Sequence, residues 1–163
     1  MYKVMEQITV ENLSKGIEKI DNLTDEAIEK LMETLSLSQN NLIGYVLQAG
    51  AEYKNEELNS YSMYYLTILH EAYVQQGFSV SSISEDDIET FQEPFLLALD
   101  TIHKEDDYVP LNELVDQPHL MTFMAHEIEQ KDADGNMLDD ATATQLFIVS
   151  SAMIGLMGKN ASK

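Results

Sequence analysis

Apolar residues recur at three- and four-residue intervals along nearly the whole chain, a spacing that predicts helices rather than strands. Leu13, Ile17 and Ile20 mark a first helix over about 9–20, closed by Asp21-Asn22-Leu23-Thr24. Thr24 is a good N-cap, and Asp25 and Glu26 suit the positive end of a second helix. Its buried stripe is Ile28, Leu31, Met32 and Leu35. Ser38 opens a third helix with Leu42, Val46, Ala49 and Tyr53 on one face and Ile43, Leu47 and Gly50 on the adjoining one. So wide an apolar stripe requires several neighbours. A fourth helix, about 56–76, is aromatic: Tyr61, Tyr64, Tyr65 and Tyr73 accompany Met63, Leu66, Ile68 and Leu69. Gly77 follows at a fitting C′ position.

Phe78-Ser79-Val80-Ser81 alternates apolar and polar, but with no partner strand in view it reads as an extended connection. Ser84 and Asp87 form a variant of the capping box, in which Glu or Gln is the usual third residue. Pro94 falls inside the pattern that follows and should kink or split that helix. Phe91, Phe95, Leu96, Leu99 and Ile102 nevertheless stay in phase across it. A break at 103–107 precedes Pro110, which reads as N1 of a short helix through about Asp116. Pro118 opens the next, through about Gln130. Lys131 to Asp140 is a loop around Gly135, with Asp140 as the cap of a last helix over 141–158.

That last segment carries no charged residue. Its length touches the lower bound for a membrane span, yet two Thr, two Ser, a Gln and two Gly make it a poor one. A helix apolar all round belongs in the middle of a bundle. The reading is therefore a single all-α domain over 1–163, an irregular bundle of about seven or eight helices around an apolar C-terminal central helix. Residues 159–163 are expected to fray.

Charge narrows the partners. There are 29 Asp and Glu against nine cations, all of them Lys, for a formal charge of −20. Nucleic acid and anionic membrane surfaces both demand clustered Lys or Arg, so neither is expected as a partner. Without Arg, no planar side-chain fork exists for bidentate capture of carboxylate or phosphate. Without Cys, disulfides, thiolate metal sites and Cys nucleophiles are excluded. The opening Met1-Tyr2-Lys3-Val4-Met5-Glu6 has no charged region leading into an apolar run, so no secretory signal is expected and the cytoplasm is the expected compartment.

Candidate chemistry is sparse. Four histidines occur, His70, His103, His119 and His126, and no His-x-x-x-His among them. His119 and His126 share a face but lie roughly 10.5 Å apart along a helix, too far for one ion. His126 with Glu129, and His103 with Asp100, Asp106 or Asp107, are the usable local pairs for a transition metal. Asp132, Asp134 and Asn136 fall at alternate positions, as the first ligands of an EF-hand calcium loop do. The match then ends: Met137 replaces the turn Gly and Ala143 the bidentate Glu. A polar interhelical turn is the plain reading of that stretch, and weak Ca²⁺ binding the alternative. Nucleophile-elbow and phosphate-loop patterns are absent from the chain. A ligand pocket could form around Tyr61, Tyr64 and Tyr65, although aromatics at helical spacing are more often core.

The acids cluster at Glu85, Asp86 and Asp87 and again at Glu105, Asp106 and Asp107. Such clusters suit a cationic partner and would steer it electrostatically. The function expected from the sequence is a non-enzymatic acidic interaction module, adaptor or inhibitor-like, binding a basic protein. A metal-dependent helical enzyme and a small-ligand-binding bundle are the alternatives.

Overall fold

The computed structural model describes residues 6–163, so Met1–Met5, part of the segment read above for a signal, lie outside the described residues. Eight helices occur among them: α1 (Val10–Asp21), α2 (Asp25–Ser38), α3 (Asn40–Glu52), α4 (Glu56–Gln75), α5 (Glu85–Glu105), α6 (Val109–Val115), α7 (Pro118–Glu129) and α8 (Asp140–Lys159). Two-residue strands β1 (Ser79–Val80) and β2 (Ala161–Ser162) complete the set.

Local chemistry starts most of these helices. Side-chain oxygens of Thr9, Thr24, Asn55, Ser84 and Asp139 each accept a first-turn backbone N–H. The Ser84–Asp87 pair closes as a full reciprocal capping box. The last helix is capped by Asp139 and not by Asp140, which is already its first helical residue. Likewise Ser38 ends α2, and α3 begins at Asn40 behind a buried Gln39. The Gln39 amide is committed to the β1–α5 connection: Nε2 donates to the Ser81 carbonyl at 2.9 Å and Oε1 accepts from Ile83 N at 3.1 Å.

The apolar C-terminal helix is the hub. From Ser150 to Gly158 every residue of α8 is buried, and α3, α4, α5, α6 and α7 all pack against it. Burying serine hydroxyls there is affordable because both bond within the helix, Ser150 and Ser151 Oγ donating to the Phe147 carbonyl at 3.1 and 2.7 Å. Tyr73 Oη donates to the Ile154 carbonyl at 2.9 Å, tying α4 to the same axis. By length and composition α8 could cross a membrane, but two thirds of its most apolar window is buried inside the bundle.

On the other side α4 meets α1. A Cβ at Gly16 would stand 3.2 Å from the Ala72 backbone nitrogen, so the two helices approach backbone to backbone. Beside that crossing Glu71 is buried, with Lys19 Nζ and Gln75 Nε2 each donating to its Oε1 at 2.9 Å.

Three expectations are corrected. Pro94 does not split α5 into two helices; Glu85–Glu105 is one element. The ring lies on the exposed side, where water can bond the carbonyl it leaves without a donor. Ser79–Val80 is not an unpartnered connection: Ser79 pairs with Ser162 and Val80 with Ala161, antiparallel, inside the segment expected to fray. Lys163 adds an ion pair to Glu6 and lies 5.2 Å from the Phe78 ring centroid. The partners are about eighty residues apart in sequence, which leaves no local signal for the pairing. Leu96 falls outside the buried phase expected for it: the helix turns Phe91, Phe95 and Ala98 inward and leaves Leu96 52% exposed.

Candidate functional site

Tyr61, Tyr64 and Tyr65 of α4 each bond a different carboxylate. Tyr61 Oη donates to Glu57 at 3.0 Å, Tyr64 Oη to Asp21 at 2.8 Å, and Tyr65 Oη to Glu127 at 3.4 Å. Tyr64 and Tyr65 stack edge to face at 5.1 Å, and Tyr65 meets Phe123 in the same way at 6.1 Å. Burial, then the Asp21 bond, pushes the Tyr64 hydroxyl up to about 12. Burial and the nearby Glu127 charge raise Tyr65, and the Glu57 bond raises Tyr61. All three phenols are therefore protonated donors at neutral pH, neutralising none of the surrounding charge but orienting it.

The histidines and the acidic loop stay apart. His103 is exposed in the last turn of α5, and His126 is exposed in the last turn of α7 with Glu129 three residues on. His126 Nε2 lies 3.3 Å from Gln130 Nε2. Among the described residues no three or more His, Asp or Glu side chains gather as a metal-holding group. In the α7–α8 loop Asp132 Oδ1 accepts from Asp134 N at 2.9 Å and Asn136 N at 2.8 Å, and Gly135 takes the left-handed turn position at φ +82°. Asp132 thus shapes the turn that carries Asp134 and Asn136.

Helix α5 separates the two predicted acidic clusters. Glu85, Asp86 and Asp87 form its first turn, where they meet the positive helix end and where Asp87 is occupied as a cap. Glu105 is its last residue, Asp106 its left-handed C-cap, and Asp107 Oδ1 accepts from Val109 N at 3.0 Å. A rise of about 1.5 Å per residue puts the two clusters roughly 30 Å apart.

Between them runs a face that the sequence reading missed. Glu89, Glu93, Leu96, Leu97 and Asp100 line one open depression along α5. Leu96 and Leu97 are 52% and 62% exposed, an apolar shelf framed by three carboxylates. Lys104 pairs with Asp100 at 3.0 Å on the exposed surface and is the only cation bonded to that group among the described residues. The signal was present: Glu85, Glu89, Glu93, Leu97 and Asp100 recur at i+4 and i+3, one stripe of a helix. Phe95–Leu99 masks it, being a continuous apolar run whose outward residues cannot be picked out by composition.

Behind the shelf a cavity of about 310 Å³ opens between α3, α5 and α8. Tyr45, Tyr53, Phe95, Leu99, Ile148 and Val149 supply its apolar wall, and Gln48, Gln92 and Gln145 its amides. Gln92 and Leu96 belong to both cavity and shelf, so the two adjoin. Tyr45 Oη donates to Gln92 Oε1 at 3.0 Å and Gln48 Nε2 to Glu52 Oε1 at 3.1 Å, whereas Gln145 Oε1 is buried without a partner. Burial raises the Tyr45 hydroxyl, so it too stays protonated. None of Tyr61, Tyr64 and Tyr65 lines this cavity.

The fold and this surface define an all-α bundle with an acid-framed apolar face. Comparison with protein-family models, with curated proteins and with solved structures gave no match.

Proposed function

We propose that this protein is a non-enzymatic interaction module that binds a basic protein segment along the outer face of α5. The observation that carries the reading is the Leu96–Leu97 shelf with Glu89, Glu93 and Asp100 around it. An apolar patch enclosed by like charges offers contact area together with a rule for who may use it: a cationic partner is attracted, and an anionic one is repelled. The net charge of −20 extends the same preference to the encounter step. The two acidic clusters at the ends of α5 are then the flanks of the surface rather than its centre.

The reading predicts where binding is lost. A lysine-rich peptide, titrated at low and high salt, should bind the wild-type protein in a salt-dependent manner. Replacing Glu89, Glu93 and Asp100 by Gln, Gln and Asn should weaken it by about tenfold, from roughly 0.2–1 kcal/mol per exposed ion pair. The comparison is a triple neutralisation on α2, at the exposed Glu26, Glu29 and Glu33. Equal losses from both triples would show that net charge alone draws the peptide, and the α5 surface would lose its claim.

A further inference from the structure

Resting on that reading, we propose that the cavity between α3, α5 and α8 is the anchor pocket of the α5 surface, and that it receives one large apolar side chain from the basic segment. The shelf alone is shallow and would hold a cationic chain only by screened charge. The cavity adjoins it at Gln92 and Leu96, and its apolar wall is built of aromatic and branched aliphatic side chains contributed from α3, α5 and α8 and the α3 C-cap. About 310 Å³ accommodates a Phe, Leu or Trp side chain and is too small for a second helix. Deep pockets filled by one aromatic or aliphatic residue, enclosed by a polar rim, are where interfaces concentrate their energy.

Charge specifies the rest of the occupant. Every ionisable side chain on the cavity or the shelf, apart from the tyrosine hydroxyls, is a carboxylate: Glu52 at the cavity, and Glu89, Glu93 and Asp100 along the shelf. No lysine lines either one. The occupant is therefore an apolar anchor with Lys or Arg on either side of it, not an acidic or neutral amphipathic segment. Trp is the largest single anchor side chain and reports its own burial by fluorescence, so it serves as the probe.

The chain has no Trp, which makes the test direct. Two lysine-rich helical peptides of equal charge are compared, one with a single central Trp and the other with Ser in its place. The Trp peptide should bind the wild-type protein at least about tenfold more tightly, and its emission should shift to the blue on binding. Ala49→Phe narrows the cavity from the α3 side, and Gln48→Phe obstructs its mouth from an exposed position should the first variant fail to fold. Either should bring the Trp peptide down to the affinity of the Ser peptide and abolish the blue shift. Equal binding of the two peptides to wild-type protein overturns the anchor pocket. A blue shift that persists in the folded variants overturns it as well, since the indole would then be buried elsewhere. In both cases the broader reading still stands if the Glu89, Glu93 and Asp100 triple weakens both peptides, and it falls if that triple weakens neither.

Discussion

Gly155 shows what one residue decides in this core. A Cβ there would come within 2.8 Å of Cε2 and Cζ of Phe91, a ring that is 2% exposed and stacked on Phe95 at 5.1 Å. The ring has nowhere to retreat, so Gly155→Ala should destabilise the fold by about 1 kcal/mol or more despite the gain in helix propensity. Gly44 is the control: it too is inside a helix, but nothing lies within 4 Å of a Cβ placed there. Gly44→Ala should stabilise by about 0.4–1 kcal/mol. Urea unfolding of the pair checks both signs, and a Gly155→Ala protein as stable as wild type would contradict the packing described. His70 carries a pH dependence. Burial lowers its pKa, and the neighbouring Glu71 charge only partly opposes that. The unfolded chain then binds the proton more readily than the folded one. Stability contributed by neutral His70 is present above about pH 6.5 and lost as the pH falls through the folded value. His70→Gln should flatten the melting profile in that window, and an unchanged slope would exclude His70 as its source.

At the level of elements, capping and periodicity made the helices legible. Thr24, Ser84 and Pro118 start α2, α5 and α7 as their chemistry dictates, and the apolar phases of α4 and α8 locate the core. Pro94 shows the limit of such reasoning. A missing N–H is costly where the freed carbonyl is buried, and Pro94 falls on the side of α5 that faces water. The cost is still present, because the Thr90 carbonyl has no donor from within the helix. Pro94→Ala should therefore raise the unfolding free energy by about 1–3 kcal/mol with α5 otherwise unchanged. Denaturation followed by circular dichroism measures it, and a loss of stability would mean that the ring makes contacts that outweigh the bond. The β1–β2 pairing was invisible for a different reason: two residues on each side have no period to detect, and only the path of α8 brings them together.

Over the whole molecule the charge is unbalanced and largely unpaired. Four salt bridges involving lysine occur among the described residues, against 29 carboxylates in the chain. Self-repulsion of that kind is screened by salt, the Debye length shrinking from about 10 Å at 0.1 M to about 3 Å at 1 M. Sodium chloride should accordingly raise the melting temperature, by about 2–4 °C for each ~1 kcal/mol of repulsion relieved. A melting temperature that falls with added salt would mean that the few ion pairs outweigh the repulsion. The same ion that stabilises the fold should weaken the cationic peptide, so stability and binding are expected to move in opposite directions.

The residues by themselves determined the helical class, most helix starts, the acidity and the buried C-terminal helix, because capping, 3.6-residue periodicity and charge are properties of neighbours along the chain. Tertiary structure decided which of the exposed positions matter. Glu52 of α3, Leu96 of α5 and Gln145 of α8 line one cavity only because three helices cross where they do. Burial likewise chose between the two sides of the Phe95–Leu99 run, leaving Leu96 and Leu97 beside Glu89, Glu93 and Asp100. A helix records its own period, but which of its faces is turned to water is set by what packs against the other.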